Sequence, residues 1–235
     1  MNAAGPGALG VLQLQNKPTM FRGSVSHPDT FPFPIVTLAV PGAWVSNVVP
    51  GDPTLEPAFV SAAQELVRQG AVALTTNCGF AIRHQRAVAQ AVSVPVATSA
   101  LLMVPLVAAM TSGKIGLITF DARPLNSGVL RMAGVADDAP VVIAGLEGTP
   151  TWEIMSRPDA PITLGQMEGD LLAVIESLRR RIPSVSALVF ECAGFPVASA
   201  GVRKATRLPV YDVTSMANLL MSGVWQPFAS VPAAA

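Results

Sequence analysis

The chain has 235 residues, 51% of them apolar and only 13% charged, which suits strands and helices buried on two sides and excludes a disordered or coiled-coil protein. Fifteen basic residues balance fifteen acidic ones and no stripe of Lys and Arg forms, so nucleic acid is not expected as a partner. Two cysteines make no disulfide framework and are not spaced as metal ligands beside His27 and His84, so no metal is expected.

In chain order, short runs rich in Val, Ile and Leu predict strands at 10–15, 36–40, 71–76, 94–98, 115–120, 141–146, 187–190 and 210–213. Apolar spacing predicts helices over 57–69, 82–92, 101–111, 126–133, 166–181 and 197–206. The longest apolar stretch, 94–110, is broken by Pro95, Thr98, Ser99 and Pro105, so no membrane span is expected. The N-terminus lacks a basic region followed by an apolar core, and a cytoplasmic location is the expectation. Residues 21–34, with Arg22, His27 and three prolines, read as a loop at the end of the first strand, with the properties of a lid. Arg22 could there pair with a second substrate carboxylate.

Strands alternating with helices predict an α/β protein built on parallel sheets. The second half also echoes the first. The run from Gly10 to Pro18 is answered from Gly116 to Pro124, an offset of 106 residues. Thr75-Thr76-Asn77-Cys78-Gly79-Phe80 is answered by Phe190-Glu191-Cys192-Ala193-Gly194-Phe195, and each cysteine is followed 17 residues later by Pro-Val, at Pro95 and Pro209. The expectation is two pseudo-symmetric lobes, each an open, mainly parallel sheet flanked by helices, with a cleft between them. The first lobe spans 1–112 and the second 113–211, with 212–235 packing back on the first.

Ligands in open parallel sheets bind at the carboxyl ends of the strands, where both cysteines fall. Pseudo-twofold packing would bring Cys78 and Cys192 face to face. A thiol at the N-terminus of a helix is acidified, so one thiolate could remove a proton beside a carboxylate while the opposite thiol returns one. Core filling, or a disulfide across the cleft, are the other readings of the pair. His84, between Arg83 and Arg86, reads as part of a solvated helix face, and strand alternation turns Glu191 away from the cleft. The Arg179-Arg180-Arg181 run reads as the charged end of a helix.

At Thr75 to Phe80 and at Glu191 to Pro196, the chain resembles the aspartate/glutamate/hydantoin racemase superfamily, from about Gly10 to Gly223. Residues 28–34, 95–99 and 208–212 add to the likeness. The resemblance implies a racemase or epimerase, an isomerase needing no cofactor, with Cys78 and Cys192 as acid and base at the α-carbon of an amino acid or related carboxylate. It places Thr76, Asn77, Gly79 and Phe80 on one side of the carboxylate site, Gln13 and Gln15 at the end of the first strand, and Thr119 and Asp121 in the comparable place of the second lobe. Ala193 and Gly194 stand where many members carry Thr and a polar residue, leaving backbone donors there. A diacid cis-trans isomerase using covalent thiolate addition, and a non-catalytic carboxylate-binding protein, are the alternatives. The expected partner is a small carboxylate, and a homo-oligomer is compatible with the apolar composition.

Overall fold

The computed structural model describes residues 7–225, so the outer ends of the expected lobes, 1–6 and 226–235, lie outside the described residues. In the first lobe, β1 (Ala8–Gln13) lies between β3 (Ile35–Ala39) and β4 (Ala71–Thr76), and β5 (Val96–Ala97) follows β4. In the second, β6 (Lys114–Thr119) lies between β7 (Val141–Gly145) and β9 (Val185–Phe190), and β10 (Val210–Tyr211) follows β9. The two orders, β3-β1-β4-β5 and β7-β6-β9-β10, are the same topology, and every pairing in both sheets is parallel. A third ladder, β2 (Lys17–Pro18) with β8 (Asp159–Ala160), joins the lobes.

The duplication extends to irregularities. The register slips between Ala8 and Leu9 where β1 meets β4, and between Lys114 and Ile115 where β6 meets β9, at the same offset of 106 as the sequence echo. Leu74 N–H donates to Pro95 O and Leu188 N–H to Pro209 O, each at 2.9 Å.

Four helices follow the first-lobe strands: α1 (Val45–Val48), α2 (Glu56–Arg68), α3 (Gln85–Ala91) and α4 (Val104–Met110). The second lobe carries α5 (Ser127–Met132), α6 (Pro150–Met155), α7 (Leu164–Arg181) and α8 (Ser199–Thr206). The last, α9 (Val213–Ser222), returns to pack on β4 and β5. Helical spacing explains which faces are buried: Phe59, Ala62, Ala63 and Leu66 on α2, and Met167, Leu171, Ile175 and Leu178 on α7. Each large side chain so buried contributes roughly 1.5–3 kcal/mol. Gly10 and Gly116 sit at equivalent points under these helices. A Cβ on Gly10 would lie 2.5 Å from Leu74 Cδ2, and one on Gly116 would lie 2.7 Å from Leu188 Cδ2.

Sequence periodicity located all eight sheet strands but missed α1, α6, α9 and the β2–β8 ladder. α1, α6 and the β2–β8 ladder are too short for an apolar period to register, whereas nothing in the length or composition of α9, ten residues without Pro or Gly, explains why it was missed. Among the described residues, no helix is long and apolar enough to cross a membrane.

Candidate active site

Cys78 follows β4 and Cys192 follows β9, each two residues beyond the strand end. The chain then turns into a 3-10 segment, Gly79–His84 in the first lobe and Phe195–Ala198 in the second, before α3 and α8 begin. Both cysteines are free, and both line one cavity of about 310 Å3 between the lobes. The sulfurs are near enough for Cys78 to act electrostatically on Cys192.

The expected acidification does not occur. Burial, followed by the charge of Glu191, pushes the Cys78 thiol up to about 12, and the Phe80 and Ala81 backbone N–H groups only partly offset this. Burial and Glu191 likewise raise Cys192 well above the ordinary range, against the Gly194 and Phe195 N–H groups. A short 3-10 segment offers a weak dipole, while the mostly apolar wall around the half-buried sulfurs disfavours a thiolate. Near neutral pH both groups are therefore thiols.

Glu191 corrects the sequence reading in the opposite direction. It is fully buried and reaches the cavity wall rather than facing away. Thr119 Oγ1 donates to its Oε2 at 2.8 Å, whereas Oε1 has no hydrogen-bond partner. The carboxyl group and the carbonyl oxygen of Glu191 lie directly on Gly79, where a Cβ would overlap both. Burial raises the carboxyl to about 7, with the Thr119 hydroxyl and Phe120 N–H working against the rise. The repeat held the signal for this residue, because Glu191 aligns with Asn77, which the same reading placed in the site.

Gln13, Asn77, Gly79, Ala193 and Gly194 join the two cysteines on the cavity wall. Asn77 Oδ1 accepts from Leu14 N–H at 2.8 Å, which leaves its NH2 as the donor end. The other predicted site residues stand behind the wall. Gln15 Oε1 accepts from Gly42 N–H, and Thr76 Oγ1 accepts from Cys78 N–H and has the Cys78 and Thr98 carbonyls in reach of its one proton, bracing the loop. Phe80 is a core side chain, 1% exposed. Thr119 is buried and serves Glu191, and Asp121 is paired with Arg123, whose guanidinium holds that carboxyl below the usual range. His84 is not on a solvated face: it is 3% exposed, stacked on Phe59 at 4.4 Å, and burial lowers its pKa.

Most of the remaining lining is apolar, with Met20, Phe21, Val25, Phe120, Met155 and Ile162 prominent. Phe21, Ser24, Val25 and Ser26 bring the 21–34 loop into the wall, but Arg22 does not join them and donates instead to Asp29 O. Among the described residues, Lys17 is the single basic one on the lining, and no Arg lies there. Trp152, on α6, packs on Phe120 and beneath Arg123. Among the described residues, no group of three or more His, Cys, Asp or Glu could hold a metal ion.

No protein-family model matches the chain. It is 28% identical over 225 residues to a dimethylsulfoniopropionate lyase of Durusdinium sp. clade D, covering 92% of this chain and 74% of that protein. It is 29% identical over 231 residues to dimethylsulfoniopropionate lyase 3 of Emiliania huxleyi, covering 92% of this chain but only 60% of that one. Among solved structures, allantoin racemase from Pseudomonas fluorescens superposes with a TM-score of 0.61 at 17% identity, over 92% of this chain and 90% of that one. Unliganded arylmalonate decarboxylase gives 0.59 at 15% identity, over 94% and 96%. Glutamate racemase from Bacillus anthracis gives 0.57 at 16% identity, over 93% and 83%. The chain thus has the fold of the aspartate/glutamate/hydantoin racemase superfamily. The expectation of an enzyme agrees with the sequence relatives, which are named as lyases, while the fold alone does not choose between isomerase and lyase.

Proposed function

We propose that the protein is a cofactor-independent lyase that removes the α-proton of a small β-sulfonio carboxylate and expels a neutral sulfide. The observation that carries this reading is the pair of thiols, at matched strand ends, on one small and mostly apolar cavity. A cysteine thiolate takes the proton from the α-carbon, and the freed electron pair becomes the Cα=Cβ bond. The Cβ–S bond breaks with both electrons going to the cationic sulfur, which leaves as a dialkyl sulfide, and the remaining product is an unsaturated carboxylate. The thiol then returns its proton to solvent, so no oxidant or second substrate is consumed.

The lining favours this substrate class over aspartate or glutamate. A second carboxylate would call for a guanidinium, and the cavity offers only Lys17. The substrate carboxylate can be met by the Asn77 amide and by backbone N–H groups of the cysteine loops, donors whose strength grows with the developing enolate charge. S-methyl groups suit the methionine and valine surfaces, and the rings of Phe21 and Phe120 attract an onium cation. The sequence relatives named as dimethylsulfoniopropionate lyases support the same chemistry.

A racemase or epimerase is the second reading, favoured by the presence of a cysteine on each lobe. One experiment separates them. Purified, reduced protein is given dimethylsulfoniopropionate, amino acids, hydantoins and substituted malonates in heavy water. Release of dimethyl sulfide with an equal amount of acrylate is the expected result. Inversion with α-deuteration of an amino acid or hydantoin, without sulfide release, would overturn the lyase reading.

A further inference from the structure

The thiols of this site cannot act as bases unless something takes their protons. Burial and a neighbouring carboxylate both hold them up, and a second negative charge in the cavity would be expensive. The fold supplies one group able to receive such a proton. Glu191 is fully buried beneath both cysteine loops, pressed on Gly79, with Oε1 unpaired. The ionisable groups it acts on are Cys78, from the opposite lobe, and Cys192, its own neighbour. Its remaining polar partners are neutral, the Thr119 hydroxyl from β6 and the Phe120 N–H.

We propose that Glu191 is the proton acceptor of the cysteine pair, its Oε1 taking the thiol proton so that one negative charge passes from carboxylate to sulfur. The S–H bond breaks and an O–H bond forms, and the net charge shared by Glu191 and the thiols stays at minus one throughout. No oxidation accompanies the step. A carboxyl lifted to about 7 by burial is half ionised near neutral pH, and so can accept a proton and later release it. Glu191 acts through the cysteines and is a positioning residue in that sense, supporting the thiol chemistry proposed above rather than meeting substrate itself.

The test needs no substrate, so its failure is distinguishable from a failure of the lyase reading. The rate of cysteine alkylation by iodoacetamide is followed from pH 5 to 10, with mass spectrometry assigning the adducts, in wild type, Glu191→Gln and Thr119→Val. Wild type is expected to show an inflection near pH 7, where Glu191 loses its proton. Glu191→Gln should lose that inflection and react about tenfold more slowly at pH 7. Thr119→Val, deprived of the hydroxyl that lowers Glu191, should move the inflection to higher pH. A Glu191→Gln protein alkylated as fast as wild type or faster, the behaviour of a carboxylate that merely repels the thiolates, overturns the proposal. So does an inflection absent from wild type or unmoved in Thr119→Val, results that stand even where the Gln variant does not fold.

Discussion

Glu191 occupies in the second lobe the place that Asn77 occupies in the first. Asn77 N–H donates to Leu12 O at 3.0 Å and Glu191 N–H to Ile118 O at 2.8 Å, the same bond at the two repeat positions. The side chains follow: Asn77 Oδ1 accepts from Leu14 N–H, and Phe120, the counterpart of Leu14, turns its N–H to the Glu191 carboxyl. One lobe therefore presents a neutral amide beside its cysteine and the other an ionisable acid. This difference, rather than the cysteines, breaks the symmetry of the cleft.

Stability should report the buried acid. Its carboxyl titrates at about 7 in the folded protein against an ordinary 4.5. Below 4.5 the group is protonated folded or unfolded and has no effect. Between the two values the folded state holds the extra proton, so stability falls as pH rises, by a total on the order of 3 kcal/mol once pH 7 is passed. The raised thiols add to the loss only above pH 9. Urea unfolding at pH 5 and pH 8 should show this decline, and Glu191→Gln should flatten it. An equal slope in the variant would assign the decline to other groups.

Replacing either cysteine by Ala should leave the fold intact, since the side chain is small and borders a cavity. If the lyase reading holds, removal of the thiol that takes the α-proton should lower kcat by about 1,000-fold or more, with a smaller change in KM. The other substitution should cost less, because elimination needs a proton at one face only. A racemase would instead lose inversion with either variant. Sulfide release and chiral analysis on the two single variants decide between these patterns.

The sheets and the cysteine positions were legible because both are repeated: apolar strands at fixed offsets and two Cys-Pro-Val frames leave little freedom in a doubled α/β fold. The electrostatics were not. A helix N-terminus after each cysteine suggested acidic thiols, yet the chain forms short 3-10 turns there, and enclosure of the sulfurs by two lobes cannot be read from either lobe alone. Alternation turned Glu191 outward because it assumes a continuing strand, whereas β9 ends at Phe190 and the backbone leaves the pleat.

Gly79 and Gly194 flank the cysteines but should differ in tolerance. A Cβ at Gly79 meets the Glu191 carbonyl oxygen, which is backbone from the other lobe and has nowhere to move. Gly79→Ala should separate the cysteine loops, lower stability by about 2 kcal/mol or more and abolish activity. At Gly194 a Cβ would lie 2.6 Å from Met155 Cε, the free end of a flexible side chain. Gly194→Ala should keep its thermal midpoint within a few degrees of wild type and raise KM, since Met155 lines the cavity. Equal thermal losses in the two variants would mean that the lobes do not meet at Gly79 as described.

Asn77→Asp converts the neutral half of the cleft into a copy of the acidic one. Aspartate keeps an oxygen for Leu14 N–H, so the loop should hold. It removes the amide donor, however, and sets a negative charge beside Cys78 and on the wall that is to receive a substrate carboxylate. Like charges so placed disfavour both the bound carboxylate and the thiolate, so KM should rise by about 10- to 100-fold and kcat should fall as well. Lowering the pH protonates Glu191 in both proteins, so binding should improve in each, and by more in the variant, where the new acid is protonated as well. A KM unchanged by the substitution would remove Asn77 from the carboxylate site and leave the backbone N–H groups of the two cysteine loops as its donors.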